Sequence, residues 1–353
     1  MKKSLLALAV IGAFAGAAQA QTSVTIYGSI DAGLRYTNNA DAAGNSRIQM
    51  GGFSNGNFNR NRIGFKGVED LGGGMNAHFT LETGFNSGTG SLDNATNRLF
   101  NRSAFVGLGG AWGSLDLGRQ YSVNFKTIAL YDPFSYKFTS IVPLAGNGGL
   151  TWLDNDIQYT GTFGPITARA EWALGEVAGS TSNGSTQAVG LGYTGGPFSA
   201  GAAYTRREVA SAAVAGAPFV DVTNWTAGGA FTTGPFRVAA GYSRQETDLI
   251  AGGTNDVDDM WVGGSWSITP AAQLTAGYYR TKLDAVAAGA DVRRNTWIIG
   301  ATYALSKRTN LYADFDRSSY RGAGASNPAT WGIQRTGTFS NVSGVSIGVN
   351  HLF

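Results

Sequence analysis

The stretch Val24-Thr25-Ile26-Tyr27-Gly28-Ser29-Ile30-Asp31-Ala32-Gly33-Leu34-Arg35-Tyr36 decides how the rest of the chain is read. In an extended backbone Val24, Ile26, Gly28, Ile30, Ala32, Leu34 and Tyr36 share one face. Thr25, Tyr27, Ser29, Asp31, Gly33 and Arg35 share the other. Period two sustained this long makes a two-faced strand; a helix would scatter the apolar residues around its circumference.

The pattern recurs outward from there. Ile166, Ala168, Ala170, Trp172 and Leu174 alternate with Thr167, Arg169, Glu171 and Ala173. Phe198, Ala200, Ala202 and Tyr204 alternate with Ser199, Gly201, Ala203 and Thr205, and Phe236, Val238, Ala240 and Tyr242 with Arg237, Ala239, Gly241 and Ser243. Trp297, Ile299, Ala301, Tyr303 and Leu305 share a face near the end. Sixteen strands are expected, at 23–37, 59–67, 74–87, 97–109, 112–121, 152–161, 165–176, 185–194, 197–207, 221–233, 235–246, 257–268, 271–282, 293–305, 308–318 and 341–353. Their connections alternate in length, eight long and seven short. Sixteen antiparallel strands with both termini on the short-turn side require that count, and an even strand number with unequal sides marks a transmembrane barrel.

The polar faces carry Arg60, Arg62, Arg102, Arg169, Glu171, Arg237, Asp314 and Asp316. Sixteen strands enclose a lumen too wide for side chains to fill. A wet polar interior therefore goes with an apolar exterior, and the outer solvent is lipid, which forbids an open sheet edge. Aromatics on the outward faces cluster at strand ends. Tyr193, Phe198, Phe231, Phe236, Trp266 and Tyr303 lie toward the short turns, and Trp172, Tyr204, Trp225, Tyr242 and Trp297 toward the long loops. Two such girdles belong at the two membrane interfaces.

The first 20 residues, MKKSLLALAVIGAFAGAAQA, have a basic start, a short apolar run and a small-residue end. They are expected to be a secretory signal peptide (1–20), leaving 21–353 as the barrel domain. No later run of 18 apolar residues predicts a transmembrane helix. The 26 basic residues, two of them in the leader, nearly balance 23 acidic ones, so the chain is no basic nucleic-acid binder. Cysteine is absent, which excludes disulfides and thiolate chemistry. With only His78 and His351, a multi-histidine metal site is not available, and no cofactor is expected. Asp256, Asp258 and Asp259 are read as a solvated loop in preference to a calcium site, because no complete calcium-loop pattern is present.

Several segments resemble Gram-negative general diffusion porins, in their β-proteobacterial and neisserial branch. Ser23 to Gly28 resembles the opening strand, and Arg62-Ile63-Gly64-Phe65-Lys66-Gly67 with the following Val68 to Gly74 resembles the second strand and first turn. Phe100 to Leu108, Leu117 to Tyr121 and Asn155 to Tyr159 are similar to the fourth, fifth and sixth strands, and Gly348 to Phe353 to the closing one. The resemblance covers the whole mature chain. It implies an all-β, 16-stranded antiparallel transmembrane β-barrel with long extracellular loops and short periplasmic turns, exported to the outer membrane and assembled as a homotrimer. It implies a third loop, here about 122–151, that folds into the barrel and constricts the pore. Surrounding lipid and lipopolysaccharide, the outer-membrane assembly machinery, small hydrophilic solutes and inorganic anions are the implied partners. It also implies a wall of arginines, matched by Arg62 and Arg102. A third wall arginine expected just before Asn155 is missing from Thr151-Trp152-Leu153-Asp154, which bears on the strength of any anion preference.

Arg60 lies two residues before Arg62, so it shares the lumen face at about 7 Å. Arginine holds its charge at any working pH, and charged walls set ion preference by concentrating counter-ions. The third loop supplies Lys126, Lys137 and one acid, Asp132. The expected constriction is Arg60, Arg62, Arg102, Lys126 and Asp132, with Asp31 and Glu82 offsetting the basic wall and a modest anion selectivity resulting. The arginines could instead pair with carboxylates and pin the loop. Arg119 shares parity with Leu115 and Leu117 and is left out. Phe353 ends an alternating strand and resembles an outer-membrane assembly signal. A substrate-specific channel would want an ordered series of lumen aromatics, whereas Tyr27, Tyr279 and Tyr312 form no such series. An outer-membrane enzyme or an adhesin on the same scaffold are the remaining alternatives, and no local nucleophile signature such as G-x-S-x-G supports the former.

Overall fold

The computed structural model describes residues 23–41, 43–50, 56–94, 96–138, 151–212, 214, 216–285, 291–322 and 339–353. The expected signal peptide lies outside these residues, as do the last dozen positions of the third loop.

The strands are β1 (Ser23–Thr37), β2 (Arg47–Met50), β3 (Arg62–Gly72), β4 (Met75–Gly84), β5 (Ser103–Gly110), β6 (Gly113–Tyr121), β7 (Trp152–Phe163) and β8 (Ile166–Ala173). They continue as β9 (Thr186–Gly195), β10 (Phe198–Ala210), β11 (Phe219–Thr233), β12 (Phe236–Asp248) and β13 (Thr254–Ser267). The last four are β14 (Ala272–Asp284), β15 (Val292–Ala304), β16 (Thr309–Arg321) and β17 (Asn341–Leu352). One short helix, α1 (Val123–Ile128), opens the third loop. Every neighbouring pair is antiparallel, and β1 pairs with both β3 and β17, so the sheet closes. Without β2 the barrel has 16 strands. The short β2, which periodicity did not reveal, is a hairpin partner of β1 within the first loop, from Leu34↔Met50 to Thr37↔Arg47.

Exposure along β1 shows which side is which. Val24, Ile26 and Leu34 are 60%, 59% and 50% exposed, while Ser29, Asp31 and Arg35 are 0%, 0% and 5%. Large apolar side chains cover the outside and polar ones are buried inside, the reverse of a water-soluble barrel. The outward aromatics pair across strands at both ends. Phe198 lies 5.0 Å from Phe231, with tilted rings, and Phe236 stacks beside Trp266 at 6.0 Å toward the turns. Trp225 lies 5.0 Å from Tyr242 and Tyr278 4.5 Å from Trp297 toward the loops.

Two strand starts and one strand end are trimmed relative to the sequence pattern. Residues 59–61 and 97–102 are irregular, and β4 ends at Gly84. Asn57, Asn59 and Asn61 are buried where the chain leaves the sheet before β3. Asp256, Asp258 and Asp259 belong to β13 and not to a loop. Arg244 pairs with the first two, at 2.7 and 3.4 Å, and Thr281 donates to the third.

Closure is sealed where the chain ends meet. Gly28 N–H donates to Phe353 O at 3.0 Å and Phe353 N–H donates back to Gly28 O at 3.2 Å. A Cβ on Gly28 would stand 2.4 Å from both Arg62 O and the Phe353 ring. Overpacking of this kind costs about 1–3 kcal/mol. Gly28→Val is therefore expected to lower the temperature at which the folded band converts to the unfolded one on SDS gels, with Phe353→Ala in the same chain restoring part of the loss.

Candidate functional site: a cationic slot inside the barrel

The third loop turns inward straight after β6. Ser122 caps α1 by accepting from Phe125 N–H, which stops the strand and starts the helix. Val123 N–H donates to the Glu171 carboxylate at 2.8 Å, tying the helix start to β8 on the wall. Past the helix the loop is welded to the opposite wall. Tyr131 O–H and Thr226 hydroxyl lie 2.9 Å apart, Trp261 Nε1 donates to Tyr131 O at 3.1 Å, and Arg237 donates to Asp132 O and Leu130 O at 3.0 and 3.1 Å. A buried cluster of Phe58, Ile128, Tyr131, Phe134, Phe138, Trp261, Tyr279, Ile298 and Tyr312 fills that side of the lumen.

Between these side chains, glycines open room for the loop on the wall beneath it. Gly190, Gly201, Gly228, Gly241, Gly263, Gly277 and Gly300 face it from seven successive strands, β9 to β15. A Cβ on Gly228 would meet the Tyr131 ring at 2.3 Å, and one on Gly300 the Phe138 ring at 2.6 Å. Alternation placed Gly201 and Gly241 on a polar face without a role; these glycines are the bed the loop lies in.

Across from that bed an open slot of about 320 Å³ remains. Arg60, Arg62, Arg102 and Lys137 line it, with Glu82 the one carboxylate among its lining residues. Arg102 Nε donates to Glu82 Oε1 at 2.6 Å, Arg62 Nε stands 3.7 Å from Oε2, and Tyr27 O–H donates to Oε2 at 2.9 Å. Glu82 thus holds two arginines in place while its own charge is consumed between them. Arg60 and Arg102 each lie 5.4 Å from the Trp152 ring, which supplies a cation–π face for both. Burial, and then the neighbouring Arg102, depress the Arg60 guanidinium somewhat; burial also pushes the nearby Asp93 carboxyl up. Lys137, above the Phe58 ring at 5.5 Å, is pushed down to about 8, first by burial and then by Arg62.

Three of the residues expected in the constriction have other posts. Asp31 is fully buried and accepts from Phe58 N–H at 3.0 Å, Asn59 N–H at 2.7 Å and Tyr312 O–H at 2.7 Å. It pins the segment that carries Arg60 and does not face the open passage. Asp132 is also fully buried, accepting from Tyr136 N–H at 2.7 Å and Tyr279 O–H at 3.0 Å. Lys126 turns behind the helix to Gln158, toward Asp116, Glu171 and Asp156. The loop cation in the slot is Lys137. Period-two parity cannot choose between two lysines in a loop, because loop conformation decides which one faces the water. Trp152, within the stretch Thr151 to Asp154 where the resemblance leads one to expect an arginine, was likewise not singled out as a site residue. Arg119 stays out of the slot: a register shift in β6 between Gly118 and Gln120 leaves it bonded to Asp154 at 2.5 Å, beside Arg98 at 2.7 Å. His78 faces the lumen, 2.8 Å from Asp116.

A closed barrel with a lipid-facing apolar belt and a loop-narrowed polar lumen defines a transmembrane channel protein. The family model for Gram-negative porins matches residues 7–323, and the chain belongs to that family. It is 46% identical over 151 residues to an outer membrane porin protein of Bordetella pertussis, covering 39% of this chain and 38% of that one. It is 36% identical over 227 residues to outer membrane porin protein 32 of Delftia acidovorans, covering 60% and 61%. The alignments thus span less than two thirds of these relatives' lengths. The anion-selective porin from Comamonas acidovorans superposes with a TM-score of 0.77 at 26% identity, covering 94% of this chain and all of that one. The trimer form of OmpT from Vibrio cholerae gives 0.71 at 18% identity, over 94% of this chain and 99% of its own, a likeness of fold. Family and barrel place the protein in the Gram-negative outer membrane.

Two outcomes follow from this geometry. Phe138 packs edge-on against Phe58 at 5.0 Å and Phe134 at 5.6 Å, and truncating a buried phenylalanine costs about 3–5 kcal/mol. Phe138→Ala is expected to loosen the loop and raise single-channel conductance and open-channel noise while the barrel still resists SDS. The Lys137 amine is charged below its value of about 8 and neutral above it. Anion preference is therefore expected to fall as pH rises through that range, read from reversal potentials, and Lys137→Arg to remove the dependence.

Proposed function

We propose that the protein is a general porin: a water-filled channel for passive diffusion of ions and small hydrophilic solutes, with a modest preference for anions. The observation that carries this reading is the slot where the third loop narrows the lumen, lined by four cationic side chains and one carboxylate that is already shared by two of them. Fixed positive charge in a narrow passage with low-dielectric walls raises the local concentration of anions and lowers that of cations. Arg60, Arg62, Arg102 and Lys137 are the proposed selectivity residues. Glu82 orients the arginines, and Asp31, Asp132 and Lys126 act indirectly by holding the loops that present them. The likeness to a structure described as an anion-selective porin supports the sign.

The working unit is proposed to be a homotrimer in lipid and lipopolysaccharide, supported by a solved relative of this fold described as a trimer form. Phe353, at the end of β17 and bonded to Gly28 across the closure, is the proposed signal to the assembly machinery. A channel needs no reacting group, and no catalytic role is assigned.

The test is a planar bilayer with a KCl gradient. Wild-type protein should open in steps with a reversal potential favouring Cl⁻. Arg60→Gln with Arg62→Gln, which leaves the Arg102–Glu82 pair intact, should lower the Cl⁻/K⁺ permeability ratio by roughly twofold or more. A ratio unchanged by this double substitution would remove the charge assignment, and folded protein without conductance would remove the channel itself.

A further inference from the structure

The slot has a second side that ion selection leaves unexplained. Tyr121, Phe125, Tyr136 and Trp152 all line it, and they form a continuous ladder. Tyr136 and Phe125 are stacked at 4.0 Å with their planes 4° apart. Phe125 and Tyr121 follow at 5.0 Å and 22°, then Tyr121 and Trp152 at 5.6 Å and 47°. Two of the rungs come from the loop and two from the wall strands β6 and β7. The order is held by polar bonds: Tyr136 O–H donates to Phe125 O at 2.7 Å, and the Tyr121 hydroxyl takes a bond from Arg102.

The cations stand along this ladder. Arg102 lies 5.7 Å from the Tyr121 ring and 5.4 Å from the Trp152 ring, and Arg60 5.4 Å from Trp152. Arg102 directs Nε to Glu82 and Nη2 to Tyr121, and its buried Nη1 has no hydrogen-bond partner among the described residues. Arg102 is buried behind the slot, whereas Arg60 and Arg62 are partly exposed on it, and a carboxylate oxygen is the acceptor a guanidinium fork suits best. A slot built only to pass small hydrated anions gains nothing from four rings, whose faces repel anions and bind other rings by offset or edge-on contact. Its volume of 320 Å³ falls within the range of small-molecule sites.

We propose that the slot prefers planar aromatic carboxylates, holding the carboxylate on Arg60 and Arg62, with Arg102 adding its charge from behind, while the ring extends the ladder of Trp152, Tyr121, Phe125 and Tyr136. The proposal rests on the channel reading above and names a solute class for it. Binding must stay weak, since a solute that enters must also leave.

The experiment uses the wild-type channel in a planar bilayer, carrying chloride, with sodium benzoate or sodium cyclohexanecarboxylate added. The two acids have the same charge and nearly the same bulk, and only one has a flat ring. Benzoate should reduce the chloride current at a concentration about two- to tenfold lower than cyclohexanecarboxylate, the range one ring–ring contact supplies. Trp152→Leu and, separately, Phe125→Leu should bring that ratio toward one; because it is a ratio within one channel, changes of width or charge cancel. Equal block by the two acids in the wild type overturns the proposal, whether or not either variant folds. A ratio that persists in both variants overturns it too. Absence of any chloride current from folded wild-type protein would instead defeat the porin reading on which it rests.

Discussion

Inside a bilayer a strand has nowhere to turn for its backbone hydrogen bonds except another strand. Closure of the sheet is therefore the condition on which everything else in this molecule depends. It is met where β1 takes β17 on one edge and β3 on the other, with Gly28 and Phe353 exchanging two backbone bonds at the seam. Once closure is met, side-chain placement follows from the pleat: apolar residues face lipid, and polar ones face an interior too wide for them to fill. The excess interior volume creates the second structural problem, which the third loop solves.

That loop behaves as the core the barrel otherwise lacks. Its aromatic residues bury themselves against Trp261, Tyr279, Ile298 and Tyr312 on the wall, and glycines along successive strands make the room. Asp132, expected to face the passage, is consumed in this docking, as Asp31 is in holding the segment before β3. Buried carboxylates of this kind earn their place only by accepting several bonds, and each accepts from two or more donors. The consequence for function is an asymmetry: the acids face the protein, and the cations Arg60, Arg62, Arg102 and Lys137 face the slot.

Period two made the barrel legible because the pleat forces every strand residue to choose a side. The strand count, the alternation of turns and loops, the inverted faces and the aromatic girdles all descend from that one rule. Parity set Arg62 on the inner face for the same reason, while Arg102, just ahead of β5, was singled out by the family resemblance. It fails where the backbone leaves the ladder. The register shift after Gly118 and the left-handed Asn155 (φ 54°) in β7 break the alternation next to the slot. Loop residues carry no parity at all, so Lys126 and Lys137 were indistinguishable until the loop's path was known. The stretch Thr151 to Asp154 was visible as lacking an arginine, but the partnership of Trp152 with Arg60 and Arg102 needed three segments brought together from distant parts of the chain.

The central claim is that the loop-bounded cationic slot is the route ions take. The chain contains no cysteine, so a single introduced thiol is unambiguous. Ser135 lines the slot, whereas Asp132, three residues earlier on the same loop, is fully buried against the wall. The measurement is the chloride current of open Ser135→Cys channels during addition of a negatively charged methanethiosulfonate reagent. The account predicts a stepwise fall in current and a shift of the reversal potential toward K⁺ as negative charge is planted among the arginines. A Ser135→Cys channel that the reagent demonstrably labels, yet whose current and reversal potential do not change, would contradict it.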